Sequence, residues 1–369
     1  MNAQHVYVHV PFCARRCTYC DFSIAVRARV PVAEYLGALA REAAQADLLP
    51  AEPATIYLGG GTPSRLGGDG IAALARLVHA HGALAEFTLE ANPEDVTRDA
   101  VRTWTAAGVN RLSLGVQSFD AGVLAWMHRT HDVPAIAAAV RAAREGGIAN
   151  LSIDLIFALP ESLGRDWGAD LASAVELEPD HISLYGLTVE EGTPLARQIG
   201  RGQTAAADDA RWEEEYLRAH EALGAAGFAF YEVSNAARPG RQAVHNRAYW
   251  TLAPYVGLGP SAHSFDGTTR RWNEPAYARW VRMLGAGQSP VSGHEILGRS
   301  QRELEQLYLG LRTVDGVELS DESPPRLRAR VDSWVASGWA ELRAGASARP
   351  RVGLTPLGWL RLDALVASV

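Results

Sequence analysis

The chain has 369 residues, a mass of 39.7 kDa, 47% apolar and 21% charged residues, and a formal net charge of −7. That composition suits one large α/β domain with a smaller appendage and excludes a disordered or fibrous chain. The acidic balance excludes a general nucleic-acid binder, which needs a basic excess to neutralise phosphates. Apolar runs such as Gly122–Met127 fall far short of the roughly 18–20 residues of a membrane span, and the start lacks a basic-then-apolar leader. The expectation is a cytoplasmic protein that is not integral to a membrane. Every basic side chain other than histidine is Arg, which excludes a Schiff-base lysine and a P-loop lysine.

In chain order, short β-rich runs fall at Val6–Phe12, Thr55–Gly60, Glu86–Asn92, Arg111–Gln117, Asn150–Ala158 and His181–Thr188. Amphipathic helical patterns separate them at Val32–Leu49, Ile71–His81, Asp99–Ala107, Pro134–Glu145 and Asp166–Glu176. Such alternation predicts right-handed βαβ units and a parallel sheet. The fold class is therefore α/β, a partial (β/α)6 TIM-like barrel, two units short of a closed eightfold barrel. Ala205–Gly227 reads as a further long helix, whereas Tyr231–Asn273 is rich in Gly, Pro, His and aromatics and has little periodicity. Helical runs return at Ser300–Leu311 and Pro325–Ser337, Arg343–Arg351 reads as a loop, and Leu354–Val369 closes in a helix. The expected organisation is a barrel over 1–230, an irregular aromatic-rich segment over 231–284 packed on it, and a small, mostly helical C-terminal domain over 285–369.

The three cysteines are Cys13, Cys17 and Cys20, all within one short loop after the first strand. Bridges between them would close tiny loops and staple nothing, so a shared metal centre is the expected use. The spacing is Cys-x3-Cys-x2-Cys. Three thiolates on a four-iron (4Fe-4S) cluster leave one iron open to a small molecule, and the C-terminal end of a barrel strand is where such folds keep their chemistry. A Cys3His zinc site using His9 is the alternative. Gly59–Pro63 ends the second strand, Glu90 the third and Gln117 the fourth, and Asp154 lies in the fifth. Polar groups and glycines at one end of successive parallel strands converge on one pocket.

The cysteine spacing resembles that of the radical SAM superfamily, whose open iron binds S-adenosyl-L-methionine (SAM) for one-electron cleavage of the sulfonium. Tyr7-x-His9-x-Pro11-Phe12-Cys13, Gly59–Pro63, Glu90-Ala-Asn-Pro93, Gly115-Val-Gln117-Ser-Phe119, Asp154-Leu-Ile and Leu159-Pro160 look like the oxygen-independent coproporphyrinogen III oxidase group. The resemblance implies that Cys13, Cys17 and Cys20 hold the cluster. It implies that Tyr7, Tyr19, Gly60, Gly61, Thr62 and Glu90 contact SAM, and that Gln117, Arg129 and Asp154 line the neighbouring SAM region. Two departures separate the chain from the oxidases. Asp21-Phe22 follows Cys20 where they carry Gly-Cys-Asn, and few residues precede the first strand.

Cys-Asp-Phe and a His-Asn-x-x-Tyr-Trp element, here His245–Trp250, resemble the HemW branch of heme chaperones. That resemblance implies heme as cargo, recipient hemoproteins of the respiratory kind, an electron donor, and His245 as a heme ligand in a loop, an imidazole with aromatic neighbours suiting the macrocycle. His263 and His131 are lesser candidates. SAM cleavage fits either branch, while decarboxylation of coproporphyrinogen propionates is the competing enzymatic reading.

Overall fold

The computed structural model describes residues 3–45, 49–50, 52–78, 84–319, 325–344 and 349–369. Alternation along the strands sets the architecture. In β1 (His5–Val10), Val6, Val8 and Val10 are fully buried in the core against the helices, so His5, Tyr7 and His9 face the barrel interior. The two-residue β2 (Phe12–Cys13) and β3 (Ala25–Val26) pair in parallel and bracket the cysteine loop. The same division recurs in β4 (Thr55–Gly60), β5 (Glu86–Ala91), β6 (Arg111–Gln117), β7 (Asn150–Phe157) and β8 (His181–Gly186). Ile56, Phe87, Leu112, Ile153 and Ile182 are among the fully buried outward residues. Facing inward are Thr55, Glu86, Glu90, Arg111, Asp154 and His181.

Strands β1, β4, β5, β6, β7 and β8 pair side by side in that order, all parallel. The helices Val32–Gln45, Gly67–Val78, Arg98–Ala106, Val133–Glu145 and Trp167–Glu176 cross between them. This is the expected (β/α)6 arrangement, and strand pairing does not close it. Of the expected helices Val32–Leu49 and Ile71–His81, residues 46–48 and 79–83 lie outside the described residues. The helix expected over Ala205–Gly227 spans Asp209–Ala225, because Asp208 accepts from the Arg211 amide at 2.9 Å and caps it there.

The segment expected to be irregular is ordered differently. β9 (Ala229–Glu232) and β10 (Asn235–Ala237) extend the sheet beyond β8, and β11 (Tyr255–Leu258) pairs in parallel with β1. β12 (His263–Phe265), β13 (Thr269–Asn273) and β14 (Val291–Ile296) follow antiparallel, completing a 12-stranded sheet with β14 and β9 at its ends. Strands this short carry too few alternations to show in the sequence, and a neighbouring strand stabilises them. The C-terminal part also carries more strand than expected. β15 (Val317–Glu318), β16 (Ala340–Ala344) and β17 (Pro350–Leu354) form an antiparallel sheet beside the helices Arg299–Arg312 and Pro325–Ala336. The loop expected over Arg343–Arg351 is thus two strand ends whose connection, 345–348, lies outside the described residues.

A short helix, Val244–Trp250, closes the barrel at the N-terminal ends of its strands. The Glu86 carboxylate accepts from the amides of Val244 at 2.8 Å and His245 at 3.0 Å, satisfying the helix's first free N–H groups. Arg111 lies 3.9 Å from the same carboxylate, both side chains being buried. Inside the plug, His245 is fully buried. Its Nδ1 bonds Thr55 Oγ1 at 2.7 Å and its Nε2 bonds the Tyr249 hydroxyl at 2.8 Å. Burial lowers its pKa to about 3, so the ring is neutral.

Candidate functional site

At the other end of the barrel, where the strands finish, lies a cavity of about 470 Å³. Cys13, Cys17, Cys20, Tyr19, Gly60, Gly61, Thr62, Glu90, Gln117, Arg129 and Asp154 all line it. Backbone bonds pin the cysteine loop from three sides: Arg27 N to Cys13 O at 3.0 Å, Thr18 N to Met127 O at 3.3 Å, and Leu195 N to Thr18 O at 2.8 Å. The glycines of β4 let two backbones meet beside it. At Gly60, with φ of 113°, an added Cβ would sit 2.7 Å from the His9 ring, and at Gly61 it would sit 2.8 Å from the Pro11 carbonyl carbon.

All three cysteines are free thiols. Thr62 Oγ1 donates to Cys13 Sγ and Arg129 donates to Cys17 Sγ, each at 3.6 Å. Burial pushes the Cys20 thiol up to about 11 and raises Cys13, so these groups keep their protons until a metal replaces them. Three soft sulfur donors on one cavity wall, two of them already receiving polar contacts, fit an iron–sulfur cluster with one iron left open. They do not fit the zinc alternative. Both ring nitrogens of His9 are occupied, Nδ1 by the Tyr7 hydroxyl at 3.0 Å and Nε2 by Ser23 O at 3.1 Å. Among the described residues no group of three His, Cys, Asp or Glu side chains is arranged for a single metal ion.

Glu90 and Arg129 are two of the charged side chains that line the cavity. Glu90 accepts from the Tyr57 hydroxyl at 2.7 Å and from the Gly60 amide at 3.1 Å, and burial raises its pKa to about 7. Arg129 donates to Asn92 Oδ1 at 2.7 Å and to the Gly115 carbonyl at 2.6 Å, while its Nε has no partner among the described residues. Neither Glu90 nor Arg129 is in an ion pair among the described residues. Behind Arg129, Glu94 takes hydrogen bonds from Asn92 and Thr130 and lies 3.6 Å from His131. Burial alone would raise the Glu94 carboxyl; bonds from His131 and Thr130 outweigh it and hold the pKa near 2. Asp154 accepts from Ser113 at 3.1 Å, and burial raises its pKa. Gln117 reaches the cavity from a left-handed backbone, φ 70°, at a register shift of β6.

Two expected site residues are not in the cavity. Tyr7 is not among the lining residues; it is stacked on Tyr57 at 6.1 Å between centroids and bonded to His9, supporting the wall. His245 sits in the plug at the opposite end, on a helix and not in a loop, and its two ring nitrogens are committed to Thr55 and Tyr249. In this arrangement neither ring nitrogen is open to another partner, and the His245–Trp250 helix holds the floor of the barrel. Of the lesser candidates, His131 is buried against Val116 O at 3.3 Å, and His263 is exposed and stacks on Trp272. Asn92, Tyr185 and His128 do line the cavity without having been singled out. Strand alternation from Asp154's neighbour Ser183 would have placed Tyr185 inward.

Known proteins match the chain in sequence and in fold. A family model described as the radical SAM superfamily matches residues 7–171. The chain is 38% identical to the heme chaperone HemW of Mycobacterium tuberculosis (strain ATCC 25618 / H37Rv), over 99% of this chain and 94% of that protein. It is 38% identical to HemW of Escherichia coli (strain K12), over 70% of this chain and 69% of that one. It is 34% identical to the mitochondrial radical S-adenosyl methionine domain-containing protein 1 of Bos taurus, over 85% and 74%. In fold it is similar to the coproporphyrinogen III oxidase HemN of Escherichia coli, with a TM-score of 0.83 and 22% identity over 99% of this chain and 89% of that one. Three cysteines on one cavity wall and a full-length match of this kind lead to one conclusion: the chain belongs to the HemW family of radical SAM proteins.

Proposed function

We propose that this chain is a heme chaperone, which binds heme and delivers it to recipient hemoproteins, respiratory ones included, in the cytoplasm. It carries a 4Fe-4S cluster on Cys13, Cys17 and Cys20, binds SAM beside it, and draws electrons from a donor. The observation that carries the reading is the cavity, whose lining brings three free thiols together with the Glu90 carboxylate and the Arg129 guanidinium, neither of them in an ion pair among the described residues. That pairing complements a zwitterionic amino-acid headgroup. Heme as cargo is supported by the name of relatives that match nearly the whole chain. No helix among the described residues is long and apolar enough to cross a membrane.

Bound at this site, the cluster supplies the one-electron reduction that cleaves the SAM sulfonium. The protein's own residues do the holding. Arg129, fixed by Asn92 and Gly115, lines the cavity and is the cation for the ligand carboxylate. Glu90 faces the ligand amino group, and Gly60 and Gly61 let the backbone come close. Tyr19, Thr62, Gln117 and Asp154 complete the polar and aromatic wall.

Three outcomes test the reading. Cys17→Ser should lose bound iron and SAM affinity together, read by iron analysis and calorimetry; a full four-iron spectrum in that variant contradicts the cluster assignment. Glu90 must be ionised to hold a cationic amino group, and its pKa in the ligand-free chain is about 7. SAM affinity should therefore be constant above pH 7 and fall toward about tenfold per pH unit below it. Glu90→Gln should bind weakly at every pH and remove that slope. Heme titration should give one heme per chain with transfer to an apo-hemoprotein. His245→Phe should lower the melting temperature yet leave heme stoichiometry unchanged; lost heme at an unchanged melting temperature would restore His245 as a ligand.

A further inference from the structure

We infer that Asp170 is a positioning residue for the cavity: its buried carboxylate holds the left-handed turn at Gln117 and so aims that side chain at the bound ligand. The inference rests on the reading of the cavity as a SAM site and adds how one wall of it is set. Gln117 closes β6 with φ of 70°, and Ala158 follows β7 with φ of 57°. Both stand where adjacent parallel strands reach the cavity. Neither is glycine, and a residue with a Cβ keeps this backbone only where its surroundings impose it.

One buried ionic cluster holds both turns. Ser118 Oγ donates to Asp170 Oδ2 at 2.8 Å and the Phe119 amide donates to Oδ1 at 2.7 Å, so the two residues after Gln117 take one carboxylate oxygen each. Ser118 Oγ in turn accepts from the Asp120 amide at 3.1 Å. On the neighbouring strand end, the Ala158 amide donates to Glu215 Oε2 at 2.7 Å. Arg165 joins the two carboxylates, donating to Glu215 at 2.5 Å, to Asp170 at 3.4 Å and to the Ile156 carbonyl of β7 at 3.1 Å. Burying three charges costs free energy that their mutual pairing and these backbone bonds must offset. Asp170, Arg165 and Glu215 are buried and none of them lines the cavity, so the cluster reaches a ligand only through the strand ends it grips. The consequence falls on Gln117. β6 and β7 pair in step as far as Gly115 with Asp154, then shift, so that Gln117 stands opposite Leu155. Leu155 is fully buried in the core, whereas Gln117 lines the cavity. Without the grip on Ser118 and Phe119, φ at Gln117 relaxes below zero, the shift is lost and the side-chain amide turns off the ligand.

The test uses the full chain with its cluster reconstituted without oxygen, SAM affinity being read by calorimetry and stability by melting temperature. Gln117→Ala should weaken SAM binding about tenfold, the scale of one lost hydrogen bond. Asp170→Asn, which removes the charge facing Arg165 and loosens the hold on Ser118, should weaken it to the same extent. The two changes together should bind no more weakly than Gln117→Ala alone, because Asp170 acts through that side chain. Ser118→Ala leaves the ionic cluster whole and guards against a folding defect. It should cost about threefold in affinity, and again nothing further when Gln117 is already Ala. Losses that add in the double variants overturn the inference, since a merely structural role predicts addition. So do single variants that melt lower yet bind SAM as the natural chain does, and so does a Gln117→Ala chain of unchanged affinity. If the natural chain itself binds no SAM, the reading of the cavity falls and the inference with it.

Discussion

The structure depends on a sheet whose two faces carry opposite chemistry. Outward residues of the six parallel strands are Val, Ile, Leu and Phe, and burying them against the crossing helices drives the fold. Inward residues are Thr, Glu, Arg, Asp, Ser, His and Tyr, which must each find a partner inside a low-dielectric barrel. At the floor they do. His245 links Thr55 to Tyr249, His181 links Ser152 to Tyr231, and Glu86 holds both the plug helix and Arg111. At the mouth Glu90 and Arg129 are hydrogen-bonded but have no ion-pair partner among the described residues, and both line the cavity. Arg129 with its free Nε and Glu90 with its raised pKa are the residue of that incompleteness.

The mouth is nonetheless held firmly. Glu94 gathers Asn92, Thr130 and His131, and Asn92 in turn fixes the guanidinium that reaches Cys17. The sulfur side of the cavity is thereby tied to β5 and to the turn before the Val133–Glu145 helix, so the charge beside the thiols has little freedom to wander. A second, small core of Val123, Met127, Ile156, Leu159, Leu187 and Leu195 packs against Tyr19 and anchors the cysteine loop from below.

Much of this was legible in the chain itself. Thr55–Gly60 and Arg111–Gln117 were bounded correctly because each alternates cleanly and ends at a glycine or a capped turn. The cysteine spacing and the polar strand ends located the cavity for the same reason, since residue type and period together fix direction. The depth of Tyr7 is not legible, because alternation tells which face a side chain takes but not how far along the barrel its hydroxyl stops. The helix that carries His245 is not legible because an aromatic, glycine-flanked segment resembles a loop, and nothing local reveals that a distant carboxylate, Glu86, caps a helix there. The strands between Tyr231 and Asn273 escaped because three to five residues carry too little pattern without the neighbour that pairs with them.

The central claim is that this barrel serves heme delivery rather than porphyrinogen decarboxylation, even though its fold is that of HemN. The most direct measurement incubates the anaerobically reconstituted chain with SAM, a reductant and coproporphyrinogen III, and counts 5′-deoxyadenosine and protoporphyrinogen in the same tube. The account predicts no protoporphyrinogen, whether or not SAM is consumed. Protoporphyrinogen formed in step with SAM cleavage would contradict it and make the chain an oxidase.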